Sequence, residues 1–255
     1  MLLAIDIGNS NVVVGFVENR IILRKARLAT DVIKTSDQYW IELKNIFDLF
    51  EIATSSIEGC IISSVVPPVL NSCRTAVLKL IGIEPLIIGP GMKTGLNILA
   101  DNPAQVGSDL IAAAVASLHE YPLPTLIVDM GTATTISALD KNGAFLGGCI
   151  SPGVRISSEA LSSRTAQLPG ISLEAPSKAI GRNTVDCMKS GIMLGSAAML
   201  DGMIDRMEKE LGQTVTVVAT GGIARYVIPM CNRRIVFDND LLLKGLVILY
   251  ENNRK

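Results

Sequence analysis

Asp6 and Asp129 are the residues from which chemistry is argued most directly. Each ends an apolar run and is followed by one apolar residue and a glycine. The two stretches are Leu3-Ala4-Ile5-Asp6-Ile7-Gly8-Asn9-Ser10-Asn11 and Leu126-Ile127-Val128-Asp129-Met130-Gly131-Thr132-Ala133-Thr134. A carboxylate at the end of a buried strand can reach a bound cation. The glycine lets the backbone turn sharply and come close to a ligand. The small polar residues beyond it offer amides and hydroxyls to a phosphate. One such stretch also describes a plain hairpin with Asx-type turn chemistry. Two at matching places in two halves weigh towards a ligand site.

Other groups narrow the chemistry. His119 is the only histidine, which removes His-rich zinc sites and a conventional Ser-His-Asp triad. Acid–base work then falls to carboxylates, Lys, Tyr or Cys. The five cysteines form no C-x-x-C pair, and their odd number argues against a disulfide framework. Most of them read as small buried hydrophobes. Asp109 follows Gly107-Ser108 and precedes a small apolar run, Ala112–Ala116. By composition alone it reads as a first-turn carboxylate that favours the helix dipole. Gly89–Gly95 lacks P-loop spacing, and no G-x-G-x-x-G follows a strand.

These residues need elements to hold them. Each half starts with strand, turn, strand, turn, strand: Val12–Val17 and Ile21–Ala29 follow the first Asp, and Thr135–Leu139 and a further apolar run follow the second. Helices are expected over Thr35–Phe50 (capped by Thr35 or Ser36), Val69–Ile81 (stopped by Gly82), Gln105–Leu118, Val154–Ser163, Thr184–Leu211 and Leu241–Tyr250. Strands are expected over Gly59–Val66, Leu86–Ile88, Val215–Ala219 and Ile235–Phe237. Gly147–Gly153 suggests close backbone approach, to a ligand or to another strand. Gln167–Arg182 reads as a long polar connector or flap. Gly191, Gly195 and Gly202 give the long helix a small-residue face suited to tight helix packing, including across a dimer interface. The order describes an α/β protein of two similar lobes, divided as 1–122 and 123–255.

With 255 residues, 49% hydrophobic and only 4% aromatic, the chain can build a large Ile/Leu/Val/Ala core. A net charge of −1 gives no electrostatic case for nucleic acid or an anionic membrane. Met1–Ile7 is apolar but reaches Asp6 too soon for a signal peptide. No run approaches the ~18 apolar residues of a membrane span. A cytoplasmic protein is expected.

Taken together, Asp6–Asn11, Asp129–Thr135 and Thr220-Gly221-Gly222 resemble the phosphate and adenosine motifs of the acetate and sugar kinase/Hsc70/actin superfamily. Within it the chain is similar to type III pantothenate kinases over essentially its whole length. Ser63–Pro68, Gly89–Ile98, Val106–Asp109, Gly148–Gly153, Gly181–Thr184 and Leu242–Leu246 carry the likeness. The resemblance implies two ribonuclease H-like lobes with a cleft between them, as in actin-like ATPases. It implies ATP-dependent phosphorylation of pantothenate to 4'-phosphopantothenate, the first step of coenzyme A synthesis. It also implies a homodimer that uses Mg and a monovalent cation, potassium or ammonium.

By motif position Asp109 is then the general base on the substrate hydroxyl. Asp6, Ile7, Gly8, Asn9, Ser10, Asn11, Val12 and Val13 bind ATP, with Thr132, Gly221 and Gly222; Asp6 also serves Mg indirectly. Asp129 holds the monovalent cation. Gly107, Ser108, Asp109 and Leu110 bind substrate, and Thr184 reaches it from the partner subunit. Three positions depart from the family pattern. Leu110 stands where an arginine is expected, Ala100 where a tyrosine is, and Leu99 where a basic residue is common. A substrate carboxylate favours a cationic partner. Alternative readings are therefore a kinase for another small hydroxy acid and a nucleotide-binding accessory protein without catalysis.

Overall fold

The computed structural model describes residues 1–254. The chain forms two compact units. The first contains Met1–Leu96, Asp101–Ala116 and the stretch from Asp240 onward; the second contains Asn97–Ala100 and Ser117–Asn239.

The first unit is built on a five-stranded sheet of β1 (Leu2–Ile7), β2 (Asn11–Glu18), β3 (Ile21–Ala29), β4 (Gly59–Ser64) and β5 (Leu86–Ile87), in the order β3-β2-β1-β4-β5. β1 pairs antiparallel with β2 and parallel with β4. It is buried on both faces, which is why it reads as an unbroken apolar run. Leu3, Ile5 and Ile7 join one core cluster with residues of α1 (Ser36–Leu49) and α2 (Pro67–Ile81). Ala4 joins another, with Ala112 and Val115 of α3 (Ser108–Glu120) and with the closing helix. Phe16 meets Phe47 edge to face, with ring centroids 4.9 Å apart. Thr35 and Gln38 form a capping box at the start of α1. Gly82, at φ +71°, ends α2.

The second unit repeats the plan. β6 (Thr125–Met130), β7 (Ala133–Leu139), β8 (Phe145–Pro152), β9 (Thr216–Thr220) and β10 (Val236–Phe237) lie in the order β10-β9-β6-β7-β8. β6 again pairs antiparallel with the strand after it and parallel with β9. Leu126, Val128 and Met130 pack with Ile192, Met193 and Leu200. β6–β10 therefore correspond one to one with β1–β5. The repeat is not exact in length: three residues, Gly8–Ser10, join β1 to β2, and two, Gly131 and Thr132, join β6 to β7.

The helices of this unit are α4 (Val154–Arg164), α5 (Thr184–Lys189), α6 (Gly195–Leu211) and α7 (Ala224–Val227); α8 (Leu241–Asn253) closes the chain. Four details differ from the sequence expectations. A π-helical turn, Ser190–Leu194, divides the run expected as one helix into α5 and α6. α3 starts at Ser108, after a separate 3-10 turn at Pro103–Gln105. β8 runs through the glycine pair, because Gly148 lies against the backbone of Ile136 where no side chain fits. α8 packs in the first unit, against α3 and β1, where a single cut after residue 122 would place it in the second.

That packing depends on Gly245. A Cβ there would lie 1.9 Å from the carbonyl oxygen of Ala112, so two helix backbones would have to separate. Gly245→Ala is expected to lower stability by about 2 kcal/mol, read as a lower urea midpoint with an unchanged slope.

Candidate functional site

In the first unit Asp6 sits one residue from the end of β1. It lies opposite Val13 on β2 and Ser63 on β4. The turn that follows is closed on itself: the Gly8 N–H donates to the Asn11 carbonyl at 2.9 Å. Thr30 fastens it from β3's end, its hydroxyl donating to the Gly8 carbonyl (2.7 Å) and its N–H to the Ser10 carbonyl (3.1 Å). Asn9, Ser10 and Asn11 are exposed. The side chains of Ile7 and Val12 are in the core and anchor the turn.

Asp109 is brought to the same end of this sheet by a serine cluster. The buried Ser63 hydroxyl donates to Ser108 Oγ at 3.0 Å. The Ser64 N–H donates to the same oxygen at 3.1 Å, and the Ser108 hydroxyl donates to the Ser64 carbonyl at 3.0 Å. One donor and two acceptor sites exhaust a serine hydroxyl, so Ser108 positions its neighbour, and its side chain is fully occupied. Asp109 Oδ1 accepts from the Leu110 N–H at 2.8 Å. Burial raises the Asp109 pKa above the usual carboxylate value, against the lowering effect of that bond. A Cβ on Gly107 would lie 2.4 Å from Asp109 Oδ1, so a larger residue there would push the carboxylate aside.

In the second unit Asp129 holds the corresponding place on β6, opposite Thr135 on β7 and Thr220 on β9. The Gly131 N–H closes the turn onto the Ala133 carbonyl at 3.0 Å. Two glycines crowd this turn. A Cβ on Gly153 would lie 2.1 Å from the Thr132 carbonyl oxygen. A Cβ on Gly221 would lie 2.7 Å from Asp129 Oδ1, and its φ of +95° suits glycine. Asp129, Thr132 and Gly221 thus converge, with Gly222 next in the chain. The close approach at Gly148 and Gly153 is to neighbouring backbone. Thr184 is exposed at the start of α5, behind the Asn183 cap. It lines a groove of about 750 Å³ with Leu161, Cys187, Gly191 and Gly195.

Sequence reasoning missed several contributors. Thr30 lies far from the motif it fastens. Ser63 and Ser64 belong to a quoted stretch, but nothing in their spacing pointed to Ser108. Thr135 stands within the second motif, and its Oγ1 is buried without a hydrogen-bond partner. Of the cysteines only Cys60 and Cys73 are fully buried, and burial pushes the Cys73 thiol up to about 12.

Likeness to known proteins follows this geometry. The structure is similar to component A of (R)-2-hydroxyglutaryl-CoA dehydratase from Acidaminococcus fermentans (TM-score 0.58, 15% identity, covering 98% of this chain and 96% of that one). It is also similar to the inorganic polyphosphate/ATP-glucomannokinase of an Arthrobacter species (TM-score 0.51, 15% identity, 97% and 96% covered). At that identity the likeness shows the fold alone: the α/β class of paired lobes shared by actin-like ATPases and sugar kinases. Residues 2–206 match the type III pantothenate kinase family. A type III pantothenate kinase of Listeria monocytogenes is 43% identical over 254 residues, covering 100% of this chain and 98% of its own. The chain belongs to the type III pantothenate kinase family.

The space at residue 107 gives a direct test. Gly107→Ala must displace the Asp109 carboxylate or its own backbone. It is expected to reduce kcat by roughly 10²-fold, the low end of what a positioned base contributes, with a urea midpoint close to the parent's.

Proposed function

We propose that this protein phosphorylates pantothenate with ATP, giving 4'-phosphopantothenate for coenzyme A synthesis in the cytoplasm. The observation that carries the reading is the hydrogen-bonded path Ser63–Ser108. It joins the strand beside Asp6 to the helix turn of Asp109, so the Gly8–Asn11 turn and a partly buried carboxylate share one end of one sheet.

In this reading Asp109 accepts the proton of the substrate's primary hydroxyl. The oxygen forms a bond to the γ-phosphorus as the bond to the bridging oxygen of ADP breaks. Each turn, Gly8–Asn11 in the first unit and Gly131–Ala133 in the second, offers amides to phosphate oxygens, and within the second unit Gly221 and Gly222 leave room for a nucleoside. Most of the acceleration then comes from in-line positioning. Asp6 would hold Mg, which takes carboxylate and phosphate oxygens, and Asp129 would hold the monovalent cation. Such cations would supply neutralisation of phosphate charge.

A homodimer completes the site in this reading, with Thr184 reaching the acceptor held by the other protomer. The open glycines support it. Added Cβ atoms on Gly191 and Gly195 would meet nothing within 4 Å, and Leu161 and Val185 nearby are 39% and 38% exposed. Thr184→Ala is expected to raise KM for pantothenate more than KM for ATP, while light scattering still gives a dimer.

Leu110 favours a second reading, in which the acceptor is a different small hydroxy acid. Replacing a charge-assisted contact by leucine forfeits about 1.5–3 kcal/mol of binding. Coupled ADP release decides between them. With ATP, Mg and potassium, turnover is expected on pantothenate, with Asp109→Asn abolishing it. Turnover confined to another hydroxy acid establishes the second reading, and none on any acceptor leaves a nucleotide-binding accessory protein.

The pH dependence has a defined sign. The base works ionised, so kcat/KM falls as pH drops through the raised Asp109 pKa, starting at a higher pH than an ordinary carboxylate gives. A raised carboxyl pKa also means that ionised Asp109 costs stability above that pKa and relieves the cost below it. Asp109→Asn is therefore expected to melt at or above the parent Tm at pH 7.5, with the difference shrinking towards pH 4, where asparagine and a protonated carboxyl are alike.

A further inference from the structure

We infer that Thr135 is a second protein ligand of the monovalent cation held at Asp129. This rests on the reading of Asp129 given above and adds to it a residue the family motif does not assign.

Three observations carry it. Thr135 is directly opposite Asp129 in the β6–β7 ladder, so the two side chains share a face of the sheet as a cross-strand pair. Its Oγ1 is out of contact with solvent and makes no hydrogen bond. Buried hydroxyls are almost always paired, and an orphan calls for an explanation such as an ion. On its other side Thr135 faces Ile150 of β8, which has no side-chain donor or acceptor to offer and is 75% exposed.

The internal repeat supplies a control. The position equivalent to Thr135 in the first unit is Val13, opposite Asp6. The strand pairing itself is therefore satisfied by a β-branched apolar side chain of nearly the same shape. The hydroxyl in the second unit is an addition that the fold does not require. A hydroxyl oxygen and a carboxylate on one face are the hard oxygen donors that alkali cations take.

The test uses the full-length protein with ADP and Mg present. Melting temperature is followed as potassium replaces sodium at constant ionic strength, for the parent, Thr135→Val, Thr135→Ser and Asp129→Asn. The parent is expected to be stabilised by potassium. Thr135→Val is expected to shift the potassium midpoint upward about tenfold, the scale at which lost metal-site partners are felt, with Thr135→Ser close to the parent. Thr135→Ala stands in as the hydroxyl-free variant should valine fail to fold. A parent-like midpoint in the hydroxyl-free variant, with the response lost in Asp129→Asn, overturns the role of Thr135 and leaves the Asp129 site standing. A response retained in Asp129→Asn, or absent from the parent, overturns both.

Discussion

Each sheet is built around one strand whose two neighbours run in opposite senses. β1 has antiparallel β2 on one side and parallel β4 on the other; β6 has β7 and β9 in the same way. This arrangement opens a site at one end of the strand. The antiparallel neighbour returns through a tight turn at the C-terminal end, and the parallel neighbour delivers its own C-terminal end, with the segment after it, to the same place. Ligands in α/β sheets bind at such ends. A carboxylate one residue from the end of the central strand is then flanked by a turn on one side and by a helix start or glycine turn on the other. The serine cluster beside Asp6 and the Gly221 turn beside Asp129 are two versions of this junction.

The second consequence is burial. A central strand covered on both faces must be apolar throughout, so a polar residue at its end is conspicuous. That is why Asp6 and Asp129 could be read from sequence with their strands. The repeat was legible for the same reason: two apolar runs ending in Asp-x-Gly, each followed by two more strands, leave little choice of topology. Caps and breakers were equally plain, with Thr35 and Gln38 at one helix start and Gly82 at one helix end behaving as their chemistry predicts.

What sequence could not show was set by contacts between distant segments. Asp109 read as a solvated first-turn carboxylate, because burial comes from α3 docking on β4 through Ser108, forty-four residues beyond Ser64. Gly148 and Gly153 could have served a ligand or a neighbouring strand, and only the register of β7 and β8 decides for the strand. The π-helical turn at Ser190–Leu194 has no marker in residue type. The placement of α8 follows from Gly245 meeting Ala112, a fit that periodicity does not reveal.

The distribution of thiols has a practical side. Cys60 and Cys73 are buried, and Cys149 and Cys231 are partly covered with their pKa values raised by burial. Cys187 alone is exposed, and it lines the groove beside Thr184. The chain therefore comes with a natural attachment point for a maleimide dye, and fluorescence from that one label would report in real time whether the groove is occupied.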